Sequence, residues 1–320
     1  MTIKYIELGT NIPIVKFECS SEIKAAFLNT LKNQVYDLTS ISRCVEHIKF
    51  GYYFNQIIKK NDFSTELKSL EFGDCFNQKI ERNVLPIGLQ SIVFGYNFNQ
   101  KIEKDVLPIG LQSIVFGYNF MQKIEKNVLP TGLQSIVLGR YFNQKIEKDV
   151  LPTDIKTLTF GDFYDHPIEK GVLPSDLQSI VFGWEFNQPI ETDVLPSNLQ
   201  SIYFGYSYNQ PIEIDVLPAG LQSIYFGRCF NQSLDNIPKN SKIYLNTIPS
   251  NTTHNYTFYY PEKSTIEKIK SEKKILGEIY TSEINNHKCY MIDVEIINPE
   301  INKEKIKDLI RQLEIELQLS

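Results

Sequence analysis

Carboxylates stand at Glu81, Glu103, Glu125, Glu147, Glu169, Glu191 and Glu213, each 22 residues from the next. Paired carboxylates are the raw material of acid–base and metal chemistry. A catalytic pair is singular, however, and this one recurs at every step. Bases interleave with it at Lys79, Lys101, Lys123 and Lys145 and at Arg82, Lys104, Lys126 and Lys148. They offset the repulsion, so a solvated charge ladder is the expectation. Asn77, Asn99, Asn143, Asn187, Asn209 and Asn231 share the period. Their amides suit bonds to the backbone and to one another along a stack better than bonds to a ligand. The histidines (His47, His166, His254, His287) have no metal spacing, and His287 with Cys289 is the one close His–Cys pair. No nucleophilic surround accompanies that pair. Neither a Gly-rich phosphate loop nor a Ser-centred elbow occurs. No catalytic residue, cofactor or metal site is expected.

Composition narrows the classes further. The chain has 320 residues, with 33 Lys and Arg against 38 Asp and Glu, a net charge of −5. That excludes a global electrostatic case for nucleic-acid binding. Apolar runs are too short for a transmembrane helix, and the first residues lack the apolar core of a signal peptide. Cys19, Cys44, Cys75, Cys229 and Cys289 are an odd, unpatterned set, which fits a reducing compartment and a cytoplasmic location. Cys75 and Cys229 share a column seven steps apart, too far to pair within one chain.

The elements that position these residues follow from the repeat. Glycines at 51, 73, 95, 117, 139, 161, 183, 205 and 227 keep a strict 22-residue period. Phe precedes each, except where Leu138 precedes Gly139. A second aromatic column runs from Phe54 to Phe230, and prolines from Pro86 to Pro218 hold the same register. So strict a period in this range means a stacked array. Within one unit, Gln90 to Phe94 alternates as a short strand, with Ile92 and Phe94 inward and Ser91 and Val93 outward. Gly95 ends the strand by permitting backbone angles that a side chain resists. The remainder has no helical spacing and closes at Pro108, so the return path is read as turns and extended chain. Phe98, Ile102, Val106 or Leu107, Leu111, Ile114 and Phe116 supply the inward groups, which only neighbouring units can cover.

Phe186-Asn-Gln-Pro-Ile190, with Phe76-Asn-Gln-Lys-Ile80 and Tyr208-Asn-Gln-Pro-Ile212, resembles the FNIP (IP22) repeat of amoebae and of the large DNA viruses that infect them. The resemblance covers residues 45–238. Leu89-x-x-Ile92-x-Phe94 is also similar to leucine-rich repeats, to which FNIP repeats are related. The fold class implied is a repeat solenoid: a leucine-rich-repeat-like stack of nine 22-residue coils with one parallel sheet and little helix in the repeats. Small α+β terminal segments flank it. Many FNIP proteins carry an F-box, which would imply a ubiquitin-ligase adaptor. Residues 1–44 have neither its Leu-Pro opening nor its helical pattern.

Outside the array, residues 1–44 read as a capping segment of strands (3–8 and 13–18) and a helix over 21–34. There Ile23, Phe27, Leu31 and Val35 recur at four-residue spacing. Residues 239–320 read as an α+β capping or interaction segment. It holds an irregular stretch over 247–260, a basic helix over 263–276 and a strand over 290–296. A helix capped by Asn298, with an apolar stripe from Ile306 to Leu317, closes it.

One signal rises above the repeat. No Lys or Arg occurs between Gly171 and Gly227, while acids there include Glu191 and Glu213. In the same coils the outward strand position changes from Val to Tyr203 and Tyr225, and the position after glycine holds Trp184, the only Trp, and Tyr206. Aromatics in an acidic setting suit a protein or peptide partner with a basic surface. The competing expectation is that they pack under the C-terminal segment. The reading is a non-catalytic protein-interaction scaffold in the cytoplasm (of the host, if viral), engaging neither nucleic acid nor membrane. An F-box-less ubiquitination adaptor is the alternative, and a hydrolase in residues 239–320 a remote third.

Overall fold

The computed structural model describes residues 45–245, Leu38, and the backbone of six further short strands in the terminal segments. The described residues include sixteen strands. Four precede the array: β1 (Tyr5–Glu7), β2 (Ile14–Val15), β3 (Ala25–Leu28) and β4 (Val35–Tyr36). The array contributes β5 (His47–Phe50), β6 (Ser69–Glu71), β7 (Ser91–Val93), β8 (Ser113–Val115) and β9 (Ser135–Val137). It continues through β10 (Thr157–Thr159), β11 (Ser179–Val181), β12 (Ser201–Tyr203) and β13 (Ser223–Phe226). Then come β14 (Lys242–Leu245), β15 (Ile279–Ile284) and β16 (His287–Ile292).

Fourteen of them form one sheet in the order β1-β3-β5 through β14, then β16 and β15. All neighbours are parallel except the final β15–β16 hairpin. From β3 to β13 each strand pairs with the residue 22 positions on, as in Ala25 opposite His47 and Ser201 opposite Ser223. The period shortens at the exit, where Ser223 faces Lys242. A second, two-stranded sheet pairs β2 with β4.

The return path contains no helix between residues 45 and 245. Three turns shape each coil, closed by backbone bonds from Phe98 to Gly95, Val106 to Glu103 and Leu111 to Pro108. The second turn needs a left-handed residue. Asn61, Asn83, Asp105, Asn127, Asp149, Gly171, Asp193 and Asp215 occupy it with φ between 60° and 79°. Asn, Asp and Gly tolerate that region best. A sequence column therefore records a backbone requirement.

All seven inward positions are buried, Val106 and Leu107 together rather than one of them. The two aromatic columns stack face to face. Phe94 lies 3.9 Å from Phe98 within its coil and 5.7 Å from Phe72 of the coil before. Leu138 interrupts one column, while Phe142 continues the other, 6.2 Å from Phe120.

Two expectations are corrected. The glycine column is not there for its backbone freedom, because none of these glycines has a positive φ. A Cβ on Gly95 would lie 2.0 Å from the carbonyl oxygen of Gly73, and one on Gly117 1.9 Å from that of Gly95. Close approach of successive coils excludes any side chain there. The helix over 21–34 is also replaced, since strand β3 occupies its middle at Ala25–Leu28. β5 would otherwise present an open edge, and pairing that edge outweighs a weak four-residue spacing. The 247–260 stretch and the helices expected over 263–276 and after Asn298 lie outside the described residues. The strand expected over 290–296 coincides in part with β16.

Candidate protein-interaction surface

The Asn column does structural work. From Asn77 to Asn209 the side-chain oxygens accept from the backbone N–H of the equivalent residue one coil on, as in Asn99 N–H to Asn77 Oδ1 at 2.9 Å and Asn209 N–H to Asn187 Oδ1 at 2.9 Å. The following Gln amide donates to the same oxygen, Gln100 Nε2 to Asn77 Oδ1 at 3.1 Å. Asp165 substitutes within the ladder, accepting from Asn187 N–H at 2.9 Å. The Glu column is exposed and partly paired, for example Lys79 with Glu81 at 3.1 Å and Lys145 with Glu169 at 2.5 Å. Such pairs contribute little individually. Among the described residues no group of three or more His, Cys, Asp or Glu could hold a metal, and no helix is long and apolar enough to cross a membrane.

Of the six residues singled out by sequence, the four aromatics form two ladders. Tyr203 and Tyr225 face outward from β12 and β13 with rings 3.9 Å apart, and Tyr244 of β14 extends the stack at 4.2 Å. Burial pushes the Tyr225 phenol up to about 12, and the hydroxyls hydrogen-bond along the column. Exposure falls from the half-buried Tyr203 and Tyr225 to the buried Tyr244. Trp184 and Tyr206, both half-buried, stack at 4.6 Å at the corner after the glycine, with Arg228 5.9 Å from the Tyr206 ring. Tyr203 and Tyr206 lie three residues apart in the one coil that the two ladders share.

The two acids do not join them. Glu191 and Glu213 are exposed on the return path, each following a buried isoleucine, Ile190 or Ile212. Neither carboxylate has a partner among the described residues, whereas Asp193 is held by Lys170 at 2.7 Å. Glu191 and Glu213 thus occupy a different stretch of the coil from the aromatics, whereas Glu185, exposed, directly follows Trp184 at the corner.

A third cluster escaped the sequence reading. Tyr96 stacks on Tyr118 at 4.3 Å, and Tyr141 stacks on Phe163 at 4.9 Å. Tyr118 meets Tyr141 edge-on at 5.2 Å. Arg140 lies 5.0 Å from the Tyr118 ring and 5.9 Å from that of Phe163. Its Nε sits 2.8 Å from Asp162 Oδ2, a contact of charges rather than an aligned hydrogen bond. Burial raises the Asp162 pKa, with Arg140 opposing the shift. The available signal was the two-residue corner after each glycine, read as a column.

Tyr208 is the odd member of the core column. Its hydroxyl is buried with no hydrogen-bond partner among the described residues, while a backbone hydrogen bond from Ile146 engages that of Tyr164. An unpaired buried hydroxyl costs about 1–3 kcal/mol. Tyr208→Phe is therefore expected to raise the urea midpoint. Tyr164→Phe should leave it unchanged or lower it by the equivalent of about 1 kcal/mol. A Tyr208→Phe protein less stable than the parent would mean that the hydroxyl is satisfied.

The FNIP Repeat family profile matches residues 33–75, 54–97, 76–119, 98–136, 118–163, 164–207 and 208–254. A search of curated proteins found no match. Among solved structures, the chain is similar to the giant-virus protein CroV588, described as a novel circular LRR protein structure, with 37% identity and a TM-score of 0.62. That match covers 70% of this chain and 36% of CroV588, so the chain spans only about a third of that relative. With unbroken coils, the shared core columns and matches running from residue 33 to 254, this chain belongs to the FNIP repeat family.

Proposed function

We propose that this chain is a non-catalytic scaffold that binds another protein through the outer face of its sheet and the adjoining corner in the late coils. The observation that supports this is the pair of aromatic ladders, Tyr203–Tyr225 and Trp184–Tyr206, held on a rigid stack. Ordered Tyr and Trp side chains provide contact area at low entropic cost, and neighbouring Ser and Asn side chains provide adaptable hydrogen bonds. The partner presents an apolar surface to these rings and a basic one to Glu191 and Glu213, and the encounter takes place in the cytoplasm. Charge on the return path raises the association rate and fades with salt.

Cross-linking pull-down with the full chain tests the reading. Tyr203→Ala with Tyr225→Ala is expected to speed dissociation of the captured protein, each anchor being worth about 2 kcal/mol or more if it is a hot spot. Glu191→Gln with Glu213→Gln should slow association and flatten its salt dependence. A large drop in melting temperature in the double Tyr variant, with capture lost only through unfolding, would overturn the patch. Recovery of ubiquitin-ligase scaffold components would turn the scaffold into an adaptor.

A further inference from the structure

The corner cluster in the middle of the array is more exposed than the late ladders: Tyr96 is 44% exposed, Tyr141 40% and Phe163 38%. Its four rings fall into two stacked pairs, Tyr96 with Tyr118 and Tyr141 with Phe163, centred two coils apart. Two coils of a parallel stack advance about 9.6 Å. Three residues of a polyproline II helix, one full turn, advance about 9.3 Å. Along the stack axis a proline on every third residue therefore advances by nearly the distance between the two pairs, which stand in adjacent columns and meet edge-on at Tyr118 and Tyr141.

The polar groups fit the same occupant. A polyproline segment offers carbonyl acceptors and no N–H donors. The corner offers amide donors and the hydroxyls of Tyr96 and Tyr141, and that of Tyr118, which accepts from Arg140 Nη1, keeps its own proton to donate. Asn119 Nδ2 donates to Asn97 Oδ1 at 3.1 Å, and the Asn97 amide nitrogen has no partner among the described residues. Arg140 and Asp162 neutralise each other at 2.8 Å, so the cluster favours an uncharged ligand over an acidic or basic one. Aromatic surfaces interleaved with donors are how proline-rich segments are recognised on unrelated folds. We infer that the corner from Tyr96 to Phe163 is a docking site for a proline-rich segment in the polyproline II conformation. The site rests on the scaffold reading above and names the chemistry of one partner segment.

The test uses the full chain and decaproline, with a Gly-Ser peptide of equal length as control. Trp184, the only tryptophan, lies one coil beyond Phe163 and reports binding by its emission, with calorimetry as a second readout. Decaproline is expected to give a saturable change and the control none. Tyr118→Ala with Tyr141→Ala should weaken binding by roughly tenfold or more, with the melting temperature recorded for each protein. Val115→Ala, on the strand face, should leave binding unchanged. Tyr141→Phe keeps the ring and should retain most of the affinity, which guards against misfolding of the double variant. Absence of a response at millimolar peptide, equal response to the control, or full binding by a folded double variant would overturn the proposal. Pull-down dependence on Tyr203 and Tyr225 alongside a failed decaproline titration would leave the scaffold reading standing and remove this site alone.

Discussion

Phe116→Ala is expected to lower the unfolding free energy by about 3–5 kcal/mol, the range for emptying a buried Phe site. Phe116 is buried, with Phe94 at 6.0 Å on one side and Phe120 at 4.2 Å within its own coil. On its third side Leu138 provides no ring to slide into the gap. Collapse is resisted because the neighbouring coils are pinned by strand pairing at Ser91, Ser113 and Ser135. Its neighbour Val115 points outward and is half-buried, so Val115→Ala should cost far less. Urea midpoints and slopes for the two proteins decide the matter. Equal midpoints would mean that the strand faces are assigned the wrong way round.

Gly205→Ala should be comparably damaging for the opposite reason, too much volume rather than too little. A Cβ at that position would stand 1.8 Å from the Gly183 carbonyl oxygen and 2.9 Å from the Trp184 Cα. Overpacking usually costs about 1–3 kcal/mol. The obstacle here is backbone, which cannot rotate away, so the upper end or beyond is expected. The register between β11 and β12 has to open to admit the methyl group. Gly220→Ala is the control. Its added Cβ would meet only the Ser197 carbonyl oxygen at 3.9 Å. It is expected to stabilise by about 0.4–1 kcal/mol by restricting the unfolded chain. Thermal melts should move in opposite directions for the two glycines. Matching shifts would show that spacing between coils is not what the column protects.

The contrast shows how sequence and structure divide the information. Strand positions were legible because a two-residue alternation has one physical reading once the 22-residue period aligns the units. The Asn column was legible as a structural ladder for the same reason, and its bonds from Asn77 to Asn99 and from Asn187 to Asn209 have the anticipated partners. The left-handed column was also present, as Asn, Asp or Gly at every step from Asn61 to Asp215. It went unread because it stands within the charged stretch, where polarity alone accounts for Asn and Asp.

The candidate surface was legible only as composition. Trp184, Tyr203, Tyr206 and Tyr225 were found because the residue types change along the array, but charge and aromaticity were merged into one patch. The fold takes two of the acids out of it, placing Glu191 and Glu213 on the return path. Tyr96, Tyr118, Tyr141 and Phe163 were missed because they sit in two adjacent columns. Only the corner geometry turns them into neighbours.

By itself the sequence determined the period, the parallel stack, the inward columns and the FNIP resemblance, since each depends on spacing along one chain. Tertiary structure decided what depends on distance between coils. It assigned the glycine column to carbonyl contact, made residues 25–28 a strand rather than part of a helix, and gathered the exposed rings into one corner. A neighbour 22 residues away stands one coil away in space, and no local pattern states how closely the two backbones approach.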